Sequence, residues 1–105
     1  MLIAFKHFVF RNLDEQYPIE KIAKELGVSG NYLYKTVKKH TGKSPKDFIR
    51  GLLIDEAKRQ LFYSNLSIKE LAYKLGYSDP AYFSRVFKKT TGKSAQAFRE
   101  NLSKT

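Results

Sequence analysis

Residues 36–44 read TVKKHTGKS, and residues 86–94 read VFKKTTGKS. A basic nonapeptide is thus spelled almost twice, fifty positions apart. Its Gly-Lys-Ser ending is shared with the Walker A loop that cradles nucleotide phosphates. That loop needs a second glycine five residues earlier, so that a tight turn aims backbone N–H groups at phosphate. Here those positions hold Val37 and Phe87. Both copies also follow basic stretches with helical spacing rather than an apolar strand. The phosphate-loop reading fails in both copies, and the repetition needs another cause.

The similarity extends outward from the nonapeptide. IEKIAKELGVS (19–29) aligns with IKELAYKLGYS (68–78) at an offset of 49. One residue is inserted where SDPAYF faces SGNYL, and the matches then continue at an offset of 50. They pair Tyr32 with Tyr82, Thr41 with Thr91, Gly42 with Gly92 and Phe48 with Phe98. Two copies of one supersecondary unit are too few for a stacked solenoid.

Each copy reads as helix, turn, helix. Ile19, Ile22, Ala23 and Leu26 fall at i, i+3, i+4 and i+7, which puts them on one helical face. Pro18 suits the opening turn of that helix, and Gly27 suits its end. Ser29 can cap a second helix with Leu33, Thr36 and Val37 inward, closed by Gly42. In the second copy Ser67 and Glu70 have capping-box spacing. Ile68, Leu71, Ala72 and Leu75 repeat the stripe and Gly76 ends it. Ser78 or Asp79 caps the next helix, with Pro80 near its start and Phe83, Val86 and Phe87 inward.

Between the copies, Ser44 can cap and Pro45 can open a helix over residues 45–62. Its stripe is Phe48, Ile49, Leu52, Leu53, Ala57 and Leu61. Gly51 costs that helix about 1 kcal/mol relative to alanine. At 1.5 Å per residue it spans roughly 27 Å. A first helix over about 2–15 has Leu2, Phe5, Phe8, Val9 and Leu13 as its core face. Ile3 and Phe10 fall on a flank, where they are expected to widen the buried stripe. Otherwise they would dock an absent regulatory domain or a second copy. A short helix over about 95–102 closes the chain. The expected fold is all-α, with seven helices. Its subdomains are 1–44, the first helix-turn-helix, a linker helix over 45–62, and 63–105, the second helix-turn-helix, together one module.

The 105 residues suit one small module able to bury a helical core without staples. There is no cysteine, hence no disulfide and no thiolate metal site. The lack of cysteine suits a reducing cytoplasm, where the chain is expected to reside, and no apolar run approaches a membrane span, so no membrane partner is expected. The opening MLIAFKHFVFRNLDEQ is interrupted by Lys6, His7 and Arg11 and lacks a small-residue cleavage site, so no signal peptide is expected. Twenty Lys and Arg against ten Asp and Glu give a net charge of +10. Each half of the chain carries ten basic and five acidic side chains. A domain so evenly basic favours a polyanion, nucleic acid first.

The second helix of each unit has an outward face of matched spacing. In the first unit it carries Asn31, Tyr34, Lys35 and Lys38, and in the second Ala81, Ser84, Arg85 and Lys88. A major groove admits one helix. Arg or Lys can bridge guanine O6 and N7, Asn can bridge adenine N6 and N7, and small residues can touch a thymine methyl. The expected base readers are Asn31, Tyr34, Lys35, Ala81, Ser84 and Arg85. Lys38, Lys39, Lys43, Lys88, Lys89 and Lys93 are the expected phosphate contacts, which position such a helix. His7 and His40 lack partners at ligand spacing, so no metal or cofactor is expected. No cysteine nucleophile and no GxSxG is present, and no catalytic residue is assigned. Asp14/Glu15 and Asp55/Glu56 are adjacent and so diverge on a helix. They read as solvated charge, with Asp55 able to pair with Arg59.

The segment LSIKELAYKLGYSDPAYFSRVFKKTTGKSAQAFRE (66–100) strongly resembles the second helix-turn-helix of AraC/XylS-type bacterial transcription regulators. YPIEKIAKELGVSGNYLYKTVKKHTGKSPKDFI (17–49) is similar to the first. The resemblance covers about residues 17–100. It implies a seven-helix, non-enzymatic domain whose two recognition helices enter successive major-groove segments on one face of double-stranded DNA. The half-sites would be unlike, since the two outward faces differ. It also implies a C-terminal module whose effector-binding or receiver domain lies outside this sequence, as in YesN-like response regulators, with RNA polymerase a further candidate partner. The chain departs from the family at Leu53, usually arginine, and at Ala95, often proline, and Tyr34 is bulky for a base reader. Two other readings stand beside this one: a basic helical docking module for an acidic protein, and a non-specific DNA coater.

Overall fold

The computed structural model describes residues 2–12 and 18–103. Among them are seven helices and no strand. They are α1 (Leu2–Arg11), α2 (Ile19–Glu25), α3 (Gly30–Thr41), α4 (Pro45–Tyr63), α5 (Ile68–Lys74), α6 (Pro80–Thr91) and α7 (Ala95–Ser103). The all-α, seven-helix expectation holds, including the long helix between the repeats. Leu13, Asp14 and Glu15 lie outside the described residues. The helices form two compact units, Met1–Gly51 and Leu52–Thr105, so the division falls within α4.

In the first unit, Phe5, Phe8 and Val9 of α1, Ile22 and Ala23 of α2, and Leu33 and Val37 of α3 are buried. α3 packs against both α1 and α2. Phe5 stacks on Phe48 at 6.0 Å between centroids, and the Lys6 ammonium lies 5.7 Å from the Phe48 ring. Ile3 and Phe10 do not widen this stripe: they are 72% and 45% exposed. At 100° per residue they lie about 150° around α1 from the mean direction of Phe5, Phe8 and Val9. Pro18 also differs from expectation. It is the N-cap residue of α2 (φ −59°, ψ 150°), outside the first turn, and its carbonyl accepts from the Ile22 N–H.

In the second unit the core is Leu53, Ile54, Ala57 and Leu61 of α4, Leu71, Ala72 and Leu75 around α5, Phe83, Val86 and Phe87 of α6, with Tyr77 and Ala95. Ile54 is absent from the expected stripe, yet Ile54, Ala57 and Leu61 are spaced i, i+3 and i+7 and share a face. Leu53 is buried in this core. Arg59 pairs with Glu56, not with Asp55. Its guanidinium donates to both carboxylate oxygens at 2.9 and 2.6 Å. This two-bond fork holds the Glu56 carboxyl below the usual carboxylate range.

Arg99 of α7 is half-buried and went unnoticed in the sequence. It donates to the carbonyls of Leu61 at 3.3 Å and Leu66 at 2.5 Å. These carbonyls belong to the last turn of α4 and the segment after it, where helical hydrogen bonding runs out. One side chain therefore ties the end of α4 to α7.

The turns repeat more closely than the sequence does. After α2, Val28 N–H reaches Ala23 O and Gly27 N–H reaches Lys24 O. After α5, Tyr77 N–H reaches Ala72 O and Gly76 N–H reaches Tyr73 O. Both are Schellman motifs, which satisfy the last carbonyls of a helix. The next helix is then capped from its own turn, by Ser29 accepting from Tyr32 N–H and by Asp79 accepting from Ala81 N–H.

The doubled nonapeptide is a second such device. Thr41 Oγ1 donates to Val37 O at 2.7 Å and accepts from Lys43 N–H. Thr91 Oγ1 does the same with Phe87 O and Lys93 N–H. Gly42 and Gly92 follow with φ 74° and 83°, their N–H groups bonded to Lys38 O and Lys88 O. Ser44 and Ser94 then accept from Asp47 and Ala97 N–H and open α4 and α7. Threonine stops the helix, glycine reverses the chain and serine starts the next helix. A Cβ at Gly92 would meet no atom within 4 Å. The cost of a side chain there is conformational, because the left-handed region disfavours L-residues by about 1–2 kcal/mol. Gly92→Ala should lower unfolding free energy by about that amount in urea titrations. Gly92→Asn should lose less, because a short polar side chain tolerates this region.

Candidate nucleic-acid interface

α3 and α6 are both twelve residues long, and each begins at a side-chain cap and ends at a left-handed glycine. Their buried faces fix which way the rest points. On α3, Leu33 and Val37 are inward, and Asn31, Tyr34, Lys35 and Lys38 are exposed on the far side. On α6, Phe83, Val86 and Phe87 are inward, and Ala81, Ser84, Arg85 and Lys88 are exposed. With 100° per residue, the outward set centres about 130° from the core face on α3 and about 155° on α6. All six expected base readers thus stand on solvent-facing helix surface, three on each helix.

Six lysines continue these faces. Lys38 and Lys39 lie in the last turn of α3, and Lys88 and Lys89 in the last turn of α6. Lys43 and Lys93 follow in the turns, and all six are exposed. Cations in a last turn also oppose the negative end of the helix dipole. Their placement therefore suits the isolated helix as well as an anionic ligand. The Thr, Gly and Ser of the same nonapeptide serve the turn itself, which leaves its lysines as the outward part of the motif.

Two aromatic residues flank the outward faces at matched positions. Tyr32 and Tyr82 are each about half exposed. The Arg85 guanidinium carbon lies 5.8 Å from the centre of the Tyr82 ring. Tyr82 in turn packs at 6.2 Å from Tyr77. The alignment of the repeats marked Tyr32 and Tyr82 as equivalent, but nothing in their spacing showed that one of them sits beside an arginine.

No described helix is long and apolar enough to cross a membrane. Among the described residues no three His, Cys, Asp or Glu side chains gather in a way that could hold a metal ion.

Comparison with known proteins agrees with this architecture. Residues 22–101 match the family described as helix-turn-helix domain. The lactose operon transcription activator of Staphylococcus xylosus is 30% identical over 96 residues, which is 91% of this chain and 34% of that protein. The chain therefore spans about a third of that relative's length. The C-terminal domain of AraT, a response regulator from Geobacillus stearothermophilus, is 28% identical, with a TM-score of 0.85 over 93% of this chain and 81% of that one. The DNA-binding domain of AdpA, a global transcriptional factor solved in complex with a target DNA, shares the fold at 24% identity. Its TM-score is 0.87, over 95% of this chain and 90% of that one. With two helix-turn-helix units, four glycine-closed helix ends and a family match across three quarters of its length, this chain belongs to the helix-turn-helix domain family in its AraC-type form.

Proposed function

We propose that the chain is the sequence-specific DNA-binding module of a bacterial transcription regulator, with α3 and α6 as its recognition helices. The observation that carries this reading is the pair of matched outward faces. Each stands opposite a closed apolar face on a helix capped at one end and stopped at the other. A helix so fixed can enter a major groove, where base edges present distinct donor and acceptor patterns. Asn31, Tyr34 and Lys35 read one groove segment, and Ala81, Ser84 and Arg85 read another. Lys38, Lys39, Lys43, Lys88, Lys89 and Lys93 neutralise phosphates and hold the two helices in place. A charge of +10 supplies the long-range attraction that all DNA sequences share.

The lengths of the relatives support a longer polypeptide that adds an effector-binding or receiver domain. The reading places the module in the cytoplasm, with RNA polymerase a further partner, and asks no catalysis of it. A non-specific coater would need the lysines but not two differing outward faces. A docking module for an acidic protein would not need a helix surface shaped for a groove.

Titration against a random-sequence duplex pool tests the reading directly. Enrichment of particular sequences is expected. Uniform binding would favour the coater, and no binding the docking module. On the enriched site, log affinity should fall with log salt at a slope of about −5 if all six lysines meet phosphate. A slope shallower than about −2 would remove them from the backbone-contacting set.

Arg85 and Lys89 separate reading from positioning. The planar fork of arginine suits bidentate contact to guanine. Arg85→Ala should cost about 1–3 kcal/mol on the preferred site and relax one base pair. Lys89→Ala should weaken all sequences alike and make the salt slope shallower by about one unit. Both side chains are exposed, so folding should change little. Parental preference at every position in the Arg85 variant would show that α6 reads by other residues.

A further inference from the structure

The second unit holds a run of aromatic rings that leads from its core to the outward face of α6. Phe83 is fully buried. Tyr77, 7% exposed, lies against it at 5.1 Å between centroids. Tyr82 lies 6.2 Å beyond Tyr77, and the Arg85 guanidinium lies 5.8 Å over Tyr82. Each contact orients the next group. Tyr77 is fixed because it follows Gly76 in the turn after α5, with its N–H bonded to Ala72 O and its ring in the core. Tyr82 and Arg85 are three residues apart and therefore neighbours on the helix surface.

We propose that Tyr82, braced by Tyr77, is a positioning residue that holds the Arg85 guanidinium for base reading. The proposal rests on the assignment of Arg85 as a base reader. Arginine is a flexible side chain, and part of what a flexible reader gains on contact is spent on ordering it. An aromatic face attracts a cation and lets a planar guanidinium stack. Held there before DNA arrives, the fork loses less freedom on meeting a base. It also has fewer orientations with which to accept a wrong one.

At the matched positions the first unit differs. Its counterpart of Tyr77 is Val28, which is aliphatic and half-buried, and its counterpart of Arg85 is Lys35, which has no planar fork. The repeat kept the outer tyrosine as Tyr32 but not the ring beneath it. Among the described residues the ring-to-arginine arrangement is on α6, and the stricter base discrimination belongs to the segment read by α6.

The test uses the 105-residue chain and anisotropy titrations on the preferred duplex and on duplexes altered at one base pair each. The variants are Arg85→Ala, Tyr82→Leu, Tyr82→Phe and the Tyr82→Leu/Arg85→Ala pair, with thermal unfolding followed for each. Tyr82→Leu should lose about two- to fivefold of discrimination, the range for an exposed cation–ring contact, and only at the base pair that Arg85→Ala relaxes. Tyr82→Phe keeps the ring face and should retain parental discrimination. In the Arg85→Ala background, Tyr82→Leu should cost no further discrimination, as expected of residues acting through one another. Should leucine unfold the chain, Tyr82→Met keeps the bulk without a ring and gives the same reading. If Tyr82→Leu leaves discrimination intact while Arg85→Ala relaxes it, the proposal is overturned. It is also overturned if Tyr82→Phe does as much harm as leucine, which would mean that the hydroxyl touches DNA itself. If Arg85→Ala relaxes nothing, the base-reading assignment fails first, and the Tyr82 variants are not needed to show it.

Discussion

The hydroxyl of Thr41, and that of Thr91 fifty residues on, donates back to a carbonyl near the end of its helix, Val37 O or Phe87 O. It also accepts from the N–H of the residue that restarts the chain, Lys43 or Lys93. A helix leaves four C=O groups without partners at its end, and burying them costs free energy unless something donates to them. Helices of twelve residues are marginal alone and depend on packing, so their ends must lie close to the next packed element. Threonine bonding back four residues, glycine at positive φ and serine capping forward solve this within four positions. The placement of α4 after α3 and of α7 after α6 follows from the chain being able to stop, turn and restart so tightly. The repeated nonapeptide is repeated because that requirement occurs twice.

Once the ends are fixed, the core decides which surface is left for a partner. Leu33 and Val37, or Phe83 and Phe87, fill the interior of their units. The helix period then assigns the opposite face with no freedom to rotate. The outward residues are free to vary in chemistry, because nothing inside depends on them. This is why the two copies share Ile, Ala, Leu, Gly and Thr but diverge at Asn31, Tyr34 and Lys35 against Ala81, Ser84 and Arg85. A fold duplicated with one inner face and two outer ones suits a reader of two different sequences.

The helices, their caps and the outward faces were legible in the sequence because each rests on local spacing. Ser67 and Glu70 formed the capping box that their three-residue separation foretold, and the Ser67 backbone N–H lowers the Glu70 carboxyl pKa accordingly. What was not legible depended on a choice between near-equal neighbours or on contacts distant in the chain. Arg59 had acids at i−3 and i−4 and took Glu56. Ile3 and Phe10 looked like a flank because apolar residues crowd α1, yet their angular position was always nearly opposite its core face. Arg99 meets carbonyls 38 and 33 residues away, and no periodicity encodes that. For the site, spacing could place Arg85 outward but could not reveal the ring beside it.

The difference between the two units is the last consequence of duplication. Both units carry a tyrosine near the start of their second helix, Tyr32 or Tyr82, but at the turn before it the second unit has Tyr77 where the first has Val28. That position follows the positive-φ glycine of a Schellman turn. In the second unit its ring lies against Phe83 and reaches Tyr82, both on the helix that follows. A valine is too short to span from a core ring to an outer one. A single difference at a turn is therefore enough to connect the core of the second unit to the outward face of α6 through a run of rings.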